Sequence, residues 1–393
     1  MKPAVGAAAV SLVPFGVLSF TYFAAIGLFN AYGPLWFKHL GFSTLVIGSI
    51  AALQSWTRVF VPYAWGWMGD HTGRRVELLR AAALVAAIAS LGLLIADSIA
   101  AVAFVVGLLF LANGGIVPLS EASLAQHLSS ERGFDTARYG RVRRWGSVGF
   151  LCAAVSMGYV LDAWGEPVFP WLVVASFALL LVASWRLPLT VDAVHPDDGA
   201  SGAWRVLRQP AVAWFFASIF LTVLAHTGLY AFFSLYVDRL GFAASTIGLL
   251  WAVSVGVEIA FFSTQGLWFA RLNASQWLLI AAAVSVLRFA AMAAFGAEIW
   301  VLVAAQMTHA ITFAAHHAAC ITLVHRYFPG RLRGRGQALY TTLGYGVSGV
   351  IGGVAGGFLS QAWGLSSVFW AASACAALAT YCGWRALRST QPA

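Results

Sequence analysis

The feature that most constrains this chain is its alternation of long apolar segments with short polar ones. A helix needs about 20 mostly apolar residues to cross a bilayer, and twelve segments meet that length. They span residues 12–36, 45–65, 78–96, 100–124, 142–163, 167–186, 210–236, 245–266, 277–296, 298–323, 338–360 and 365–387. Charged residues make up only 9% of the chain, against about 25% in a soluble domain. The sequence therefore predicts an all-α membrane protein with twelve transmembrane helices.

Basic residues divide unevenly between the two sets of alternate loops. Lys38 and Arg239 fall in one set, Arg58 and Arg288 fall inside spans, and the rest of the 23 Lys and Arg residues fall in the other set. Loops rich in Lys and Arg stay in the cytoplasm, so we expect both chain ends on the cytoplasmic side of a bacterial inner membrane. No basic face with interleaved aromatic residues occurs, which argues against nucleic-acid binding.

A polar stretch at 187–209 separates six spans from six spans, and the two sets resemble each other. Seven residues of the first half have an identical residue 200 positions later: Leu35, Leu40, Gly41, Phe42, Ile47, Gly48 and Gly66. Two related six-helix halves with a site between them near the midplane are one of the known transporter architectures. The sequence thus predicts an N-terminal half at 1–186, a cytoplasmic linker at 187–209 and a C-terminal half at 210–393.

Four ionisable residues lie deep within spans, where a charge costs about 2.5–3.5 kcal/mol and marks a candidate functional site. Glu258 and Arg58, which are repeat-related, lie about 20 Å deep, and Arg288 and His309 lie about 16 Å deep at 1.5 Å per residue. We expect them to form one polar layer around a cavity, with Glu258 as the proton carrier and His309 as a relay or hydrogen-bond donor. The alternative is a permanent Glu258–Arg288 ion pair that only orients helices.

Polar and aromatic residues recur at helical spacing on several spans, which predicts faces turned toward the bundle rather than lipid. The stripes contain Gln54 and Arg58; Thr222, His226, Tyr230 and Phe233; Trp251, Ser254, Glu258, Phe262 and Gln265; and Gln306, His309, Phe313, His316 and Cys320. Arg58 and Arg288 are candidate anchors for a carboxylate, because guanidinium binds carboxylate in a planar, bidentate way. His226, Tyr230 and Trp251 are candidate contacts for the rest of a substrate, although aromatic residues also serve as ordinary interhelical packing.

The loop after the second span reads GWMGDHTGRR at residues 66–75. Its glycines permit a tight turn between helices, and Asp70 can cap a helix or pair with arginine. This loop resembles the signature of the major facilitator superfamily, which implies a gating role for Gly66, Asp70, Gly73 and Arg74. We expect Asp70 to pair with an arginine at 331–335 or at the start of the fifth span.

A second resemblance is more specific. The segments YGRVRRWGSVG at 139–149, GVE at 256–258, VLR at 286–288 and GRGQALY at 334–340 resemble the branch that contains lactose permease and, more closely, the 3-phenylpropionate transporters. This resemblance implies proton-coupled symport of a small organic acid such as an aromatic carboxylate. It also implies that Glu121, three residues after Pro118, pairs with Arg143 and takes part in proton coupling and substrate binding.

Two further details bear on that branch. Asn113 lies on the same helical face as Glu121 and is a candidate substrate contact. Thr312 stands where lactose permease-like proteins carry an acidic residue one turn after their histidine. The proton route must therefore differ from that of the sugar transporter, which favours an organic acid. Symport of a sugar or nucleoside, and efflux of a drug or metabolite, stay open as alternatives.

Other classes of protein lack support in the sequence. There is no Gly-x-x-x-x-Gly-Lys-Ser/Thr for a nucleotide, and neither His-Glu-x-x-His nor Gly-x-Ser-x-Gly for an embedded enzyme. The four cysteines lie in apolar segments without metal-ligand spacing. We therefore expect no enzyme activity, catalytic residue, metal or cofactor. The expected partners are a small-molecule substrate, protons and the lipid bilayer, with the chain acting as a monomer.

Overall fold

A computed structural model describes residues 11–130, 133–189 and 203–389, and within them twelve long helices follow the predicted spans. They are α1 (Val13–His39), α2 (Thr44–Thr72), α3 (Arg75–Leu94), α4 (Ile99–Leu128), α5 (Thr136–Trp164), α6 (Phe169–Trp185), α7 (Pro210–Arg239), α8 (Ala244–Phe269), α9 (Ala274–Phe295), α10 (Ile299–Tyr327), α11 (Arg333–Trp363) and α12 (Ser366–Arg388). Eleven of these described helices are long and apolar enough to cross a membrane. The remaining one, α12, has 23 residues and carries Arg385 and Arg388 in its last turn. The predicted twelve-helix fold is confirmed.

Short elements accompany these helices. A two-residue strand pair, β1 (Ser129–Ser130) with β2 (Gly133–Phe134), precedes α5, and a helical turn at Ala203–Leu207 precedes α7. Most of the predicted linker, together with Lys2 and Arg132, lies outside the described residues. The division at 187–209 therefore stays a prediction.

The two halves meet through two related helix pairs, α2 with α11 and α5 with α8. Gly48 on α2 and its repeat partner Gly248 on α8 allow the backbones to touch. A Cβ at Gly48 would collide with the carbonyl of Gly353, and a Cβ at Gly248 would collide with that of Ala154. Glycine at these positions is thus required by close helix approach. The repeat seen in the sequence therefore corresponds to the same close helix packing at both contacts.

We call the end of the bundle at which α1 begins and α12 ends the terminal end, and the opposite one the distal end. At the distal end, Lys38 Nζ lies 2.5 Å from Asp238 Oδ2 across the two halves. Asp162 on α5 accepts from the amides of Ala244 (2.8 Å) and Ser245 (3.1 Å) at the start of α8. The two halves are therefore fastened together at the distal end.

The cavity at the centre of the bundle extends toward the terminal end. Its lining includes Tyr139 and Arg143 near the start of α5 and Phe262 toward the end of α8. The two halves are therefore joined at the distal end, and the central cavity lies between them on the terminal side.

Three helices depart from regular α-helix, and one of them, α10, lines this cavity. α4 is interrupted at Gly114 and Gly115 between Ile99–Asn113 and Ile116–Leu128. α10 contains a π-helical segment at Ala310–Ala315, and α11 contains one at Tyr340–Val347. Such π segments change which side chains share a face, and they occur frequently at functional sites.

Candidate functional site

The central cavity has a volume of about 630 Å³ and is lined by residues from α1, α5, α7, α8 and α10. This volume is within the range of ligand sites, about 300–1,000 Å³. Its aromatic walls consist of Phe23, Tyr139, Phe150, Tyr230, Trp251, Phe262 and Phe313. Its ionisable groups are Arg143 from the N-terminal half and Glu258, His309 and His317 from the C-terminal half. A largely aromatic chamber thus has an arginine on one wall and a carboxyl group on the other.

Glu258, His309 and Arg288 form a short chain leading away from the cavity. His309 Nε2 lies 3.8 Å from Glu258 Oε2, and His309 Nδ1 lies 3.2 Å from Arg288 Nη1. Arginine has no acceptor, so Nδ1 must accept this bond and be unprotonated. The Nε2 proton of the neutral imidazole then points toward Glu258. His309 cannot take a proton on Nδ1 until Arg288 releases it.

Arg288 is 2% exposed and held by neutral groups. Its Nη1 donates to Thr312 Oγ1 at 2.7 Å, and its Nη2 donates to Gln306 Oε1 at 2.7 Å. Ser254 also donates to that Gln306 oxygen, at 2.8 Å. Among the described residues, no ion pair joins Arg288 to Glu258 or to any other carboxylate. The alternative of a permanent Glu258–Arg288 pair is therefore wrong, because His309 separates the two charges.

Arg288 also lies behind His309 rather than on the cavity wall. The sequence predicts that Arg288 binds the substrate carboxylate. From this position it can do so only if His309 moves or if the substrate reaches past the imidazole. Thr312 explains part of this arrangement. Its hydroxyl accepts a hydrogen bond from Arg288, whereas an acidic residue at this position would form an ion pair with it.

Arg58 differs from Arg288 in burial. It is exposed, but it lies near enough to Tyr230 on the cavity wall and to Tyr22 to interact with them electrostatically. It lies on the face of α2 that carries Gln54, which donates to Asn30 of α1 at 2.9 Å. The opposite face of α2 carries the exposed aromatic residues Trp56, Phe60, Tyr63 and Trp67. The place of Arg58 in the polar layer therefore stays a prediction.

Arg143 occupies the wall opposite Glu258. Its Nε lies 3.6 Å from Glu121 Oε1 on α4, and Tyr139 Oη donates to the same Glu121 oxygen at 3.4 Å. The guanidinium also lies over the ring of Phe23, 4.4 Å from its centroid. The ion pair that the lactose permease-like resemblance implies between Glu121 and Arg143 is thus present. Because both side chains are about half exposed, at 43% and 44%, the pair is open to exchange with a ligand.

The remaining predicted contacts divide into two groups. Tyr230 and Trp251 line the cavity, with their rings stacked 6.1 Å apart at 11°. Asn113 and His226 are buried, and each leaves one polar atom without a partner, Asn113 Oδ1 and His226 Nε2. His226 Nδ1 contacts the Thr222 carbonyl at 2.8 Å, and Asn113 Nδ2 donates to Tyr22 Oη at 3.5 Å. The first group can touch a ligand directly, whereas the second lies behind the wall.

The π segment of α10 changes the stripe predicted from the sequence. His309, Phe313 and His317 line the cavity, whereas His316 packs its imidazole against Cys320 Sγ at 3.6 Å. A π-helical turn places an extra residue in the helix, so the regular 3.6-residue period puts the wrong histidine on the cavity face. Among the described residues no cluster of three or more His, Cys, Asp and Glu side chains is placed to hold a metal.

Two tyrosines that no sequence pattern singles out lie next to His317. Tyr340 Oη lies 2.9 Å from His317 Nδ1 and 3.1 Å from Tyr345 Oη. Both tyrosines belong to the π segment of α11. Their spacing carries no helical signal, although the glycines between and after them mark an irregular helix. Tyr340 is 2% exposed, so this hydrogen-bonded group lies behind His317, between the cavity wall and α11.

The charged residues of segment 66–75, most of which is the last part of α2, pair with near neighbours in sequence. Arg75 Nη2 donates to Asp70 Oδ1 at 2.7 Å, and Arg74 lies 3.7 Å from Glu77. In this structure Asp70 pairs with Arg75, and among the described side chains it contacts neither 332–335 nor the start of α5. Gly73 ends α2 with φ of +64°, a left-handed conformation that favours glycine. Gly66 has open space around its Cα.

Comparison with known proteins gives consistent matches over nearly the whole chain. The profile of the family described as MFS_1 like family matches residues 13–371. The probable 3-phenylpropionic acid transporter of Escherichia coli is 31% identical over 89% of this chain and 91% of its own length. Maltose permease of Geobacillus stearothermophilus is 28% identical over 90% of each. The crystal structure of a mutant of the nucleoside transporter NupG superposes with a TM-score of 0.81, covering 96% of this chain and 99% of its own at 17% identity.

Proposed function

The chain belongs to the MFS_1 like family and is a secondary active transporter of a small molecule, and we propose that it carries an organic acid together with protons. The proposed substrate class is a small amphipathic carboxylate, such as an aryl-bearing acid. The single observation that carries this proposal is the aromatic chamber with Arg143 on one wall and Glu258 on the other. Guanidinium binds carboxylate in a bidentate way, and aromatic walls match an aryl body.

Glu258 is the proposed proton carrier. Its side chain lines the cavity yet is only 22% exposed, so it meets water without being surrounded by it. When the cavity opens to one side, the carboxylate takes a proton from water. After the halves rock to the other side, it returns the proton. The Nε2–H of His309 faces the ionised carboxylate and stabilises it before protonation.

Alternating access requires that the fastening at the distal end be released. The Lys38–Asp238 pair and the contact of Asp162 with the start of α8 join the halves there. We propose that both contacts break when the distal end opens, while the terminal parts of α5 and α8 close over the substrate. The site lies within one chain, which fits transport by a monomer.

We also propose that the terminal end faces the cytoplasm of a bacterial inner membrane. The excess of arginine in the loops at that end supports this orientation. A green fluorescent protein fused after Ala393 should fluoresce, and an alkaline phosphatase fused there should be inactive. Active phosphatase at the C-terminus would reverse the orientation.

Symport of a sugar is the second candidate, supported by two observations. One is the 28% identity with maltose permease. The other is the Glu121–Arg143 pair, since the lactose permease-like resemblance connects that pair with sugar binding. The 31% identity with the probable 3-phenylpropionic acid transporter and the absence of an acid at Thr312 favour the organic acid.

Transport in proteoliposomes separates these candidates. Purified protein is reconstituted with an inward proton gradient, and uptake of labelled 3-phenylpropionate, its neutral amide and maltose is measured. We expect the acid to accumulate and an uncoupler to abolish accumulation while leaving exchange of bound acid. Accumulation of maltose but not of acid would establish sugar transport instead, and accumulation that needs sodium and resists the uncoupler would contradict proton coupling.

A further inference from the structure

Two further cavities lie on the outside of the N-terminal half, away from the central chamber. One of about 430 Å³ lies between α1 and α5 at the terminal end, and one of about 240 Å³ continues deeper between α1, α5 and α6. Phe20 belongs to both linings, so the two cavities are neighbours along α1. We call the two cavities together the outer groove.

The outer groove faces lipid. On α5 the central chamber is lined by Arg143, Ser147 and Phe150, which recur at three or four residues on one face. Arg141 and Trp145 lie about half a turn away from Arg143, on the opposite face. On α1 the groove residue Val13 is 70% exposed. The groove therefore opens on the bundle's outer surface, where the bilayer lies.

Three arginines crowd the terminal end of this groove. Arg138, Arg141 and Arg144 all contribute to its lining, beside the indole of Trp145. None of the three guanidiniums has an ion-pair partner among the described residues. The carboxylate of Asp135, next to them in sequence, is engaged in capping α5 by accepting from the amide of Arg138 at 2.9 Å. The mouth of the groove is thus strongly positive.

The deeper part of the groove is apolar and narrow. Small residues on three helices leave the space, among them Ala24 on α1, Gly149 and Ala153 on α5, and Ala175 on α6. From Val13 to Leu28 the groove follows α1 for about 22 Å at 1.5 Å per residue. Half of a hydrocarbon core of about 30 Å is roughly 15 Å, so the groove is long enough for one acyl chain in its leaflet.

We propose that the outer groove is a binding site for an anionic phospholipid. The phosphate lies against Arg138, Arg141 and Arg144 at the membrane interface, Trp145 packs beside the glycerol region, and one acyl chain occupies the slot lined by Ala24, Ala153 and Ala175. A soluble anion would use the arginines but not the slot, and a zwitterionic lipid would use the slot without matching the charge. This site is independent of the transported substrate and does not rest on the proposed function.

Native mass spectrometry of the detergent-purified full chain tests this proposal with phosphatidylglycerol and phosphatidylcholine as probes. Basic residues near a membrane surface attract anionic lipid, so we expect at least a tenfold preference for phosphatidylglycerol. The combined variant Arg138→Gln, Arg141→Gln and Arg144→Gln should lose that preference. The matched variant Arg326→Gln, Arg333→Gln and Arg335→Gln removes three exposed arginines at the same end of the other half and should retain it.

Equal preference in the two triple variants would overturn the proposal, because the binding would then be general attraction to a basic surface. The acyl slot is tested separately with Ala175→Phe, which fills the slot from α6 and leaves all three arginines in place. We expect it to weaken phosphatidylglycerol binding at least fivefold. Competition with glycerol phosphate and with inorganic phosphate identifies the source, since displacement of the lipid at equal concentrations would assign the site to a soluble anion.

Discussion

The two halves of the bundle share a backbone repeat but differ in the burial and pairing of their charged side chains. In the N-terminal half, Arg143 and Glu121 pair at 3.6 Å while about half exposed, and Arg58 is exposed. In the C-terminal half, Arg288 is buried among neutral partners, and Glu258 reaches it only through His309. An exposed ion pair contributes little to stability and exchanges readily. A buried charge without a counter-charge is held by its hydrogen bonds and is sensitive to every change around it.

This contrast indicates that the two halves have different roles. The N-terminal half contains an arginine that can exchange its carboxylate partner for a ligand. The C-terminal half keeps a proton-binding group beside a fixed positive charge. Arg58 and Glu258 occupy repeat-related positions with opposite charge, so the repeat conserves the place of an ionisable group in the bundle and not its chemistry. Four substitutions sharpen or break this interpretation.

The largest effect is expected at Arg288. Arg288→Ala removes the donor to Gln306, Thr312 and His309, and losing hydrogen bonds of a buried charged group costs about 2–5 kcal/mol. The matched variant Arg58→Ala removes an exposed arginine and should change stability by less than about 0.5 kcal/mol. Thermal unfolding in detergent measures both. Equal losses of stability would mean that the two arginines are not held differently.

Carboxylate recognition is the next test. If Arg143 anchors the acid, Arg143→Ala should weaken binding of 3-phenylpropionate at least tenfold, which is about 1.4 kcal/mol or more. Binding of the neutral amide should change much less. The same comparison with Arg58→Ala and Arg288→Ala decides whether these arginines also contact the acid, as the sequence predicts. Isothermal titration measures the affinities, with Arg335→Ala as the control. If no variant distinguishes acid from amide, the substrate is not recognised through its charge.

Proton coupling distinguishes Glu258 from Glu121. Glu258→Gln keeps the size and one acceptor but cannot carry a proton, so exchange of substrate should persist while accumulation against a gradient is lost. Glu121→Gln should keep coupling and change mainly the affinity, because its partner Arg143 faces the ligand. Uptake and counterflow in proteoliposomes separate the two outcomes. A well-folded Glu258→Gln variant that accumulates substrate normally would exclude Glu258 as the carrier.

The sequence predicts the fold well because each span must satisfy its backbone inside apolar surroundings. The helices nevertheless continue beyond the apolar core: the second span, predicted at 45–65, is Thr44–Thr72. The site is less completely predictable. Glu258 and His309 stand out as charges in apolar spans, but a π segment decides that His317 rather than His316 lines the cavity. Asp70 could pair with any of several arginines, and the sequence does not show that Arg75, five residues later, is its partner.

The smallest effect is expected where the two halves cap corresponding helices differently. In the N-terminal half, Ser43 caps α2 itself by accepting from the amide of Val46 at 3.3 Å. Its repeat counterpart Ala243 has no side-chain acceptor, and Asp162 of the other half accepts from the first amides of α8 instead. A carboxylate at a helix N-terminus contributes about 0.3–1 kcal/mol. This contribution exists only while the distal end is closed, so Asp162 ties a helix cap to the conformational state.

Asp162→Asn keeps an acceptor but removes the charge, and it should therefore shift the balance toward the distal-open state by about twofold to fivefold, the equivalent of 0.3–1 kcal/mol. Ser43→Ala is the matched control, because it costs a cap of about 1 kcal/mol within one half and should lower overall stability without changing that balance. The rate of labelling of Ser245→Cys, whose backbone lies against Gly158 in the closed state, reports the opening when the exposed Cys152 is replaced by alanine. If Ser43→Ala changes the labelling rate as much as Asp162→Asn does, the distal contact has no special part in gating, and the two caps differ only in which half supplies the acceptor.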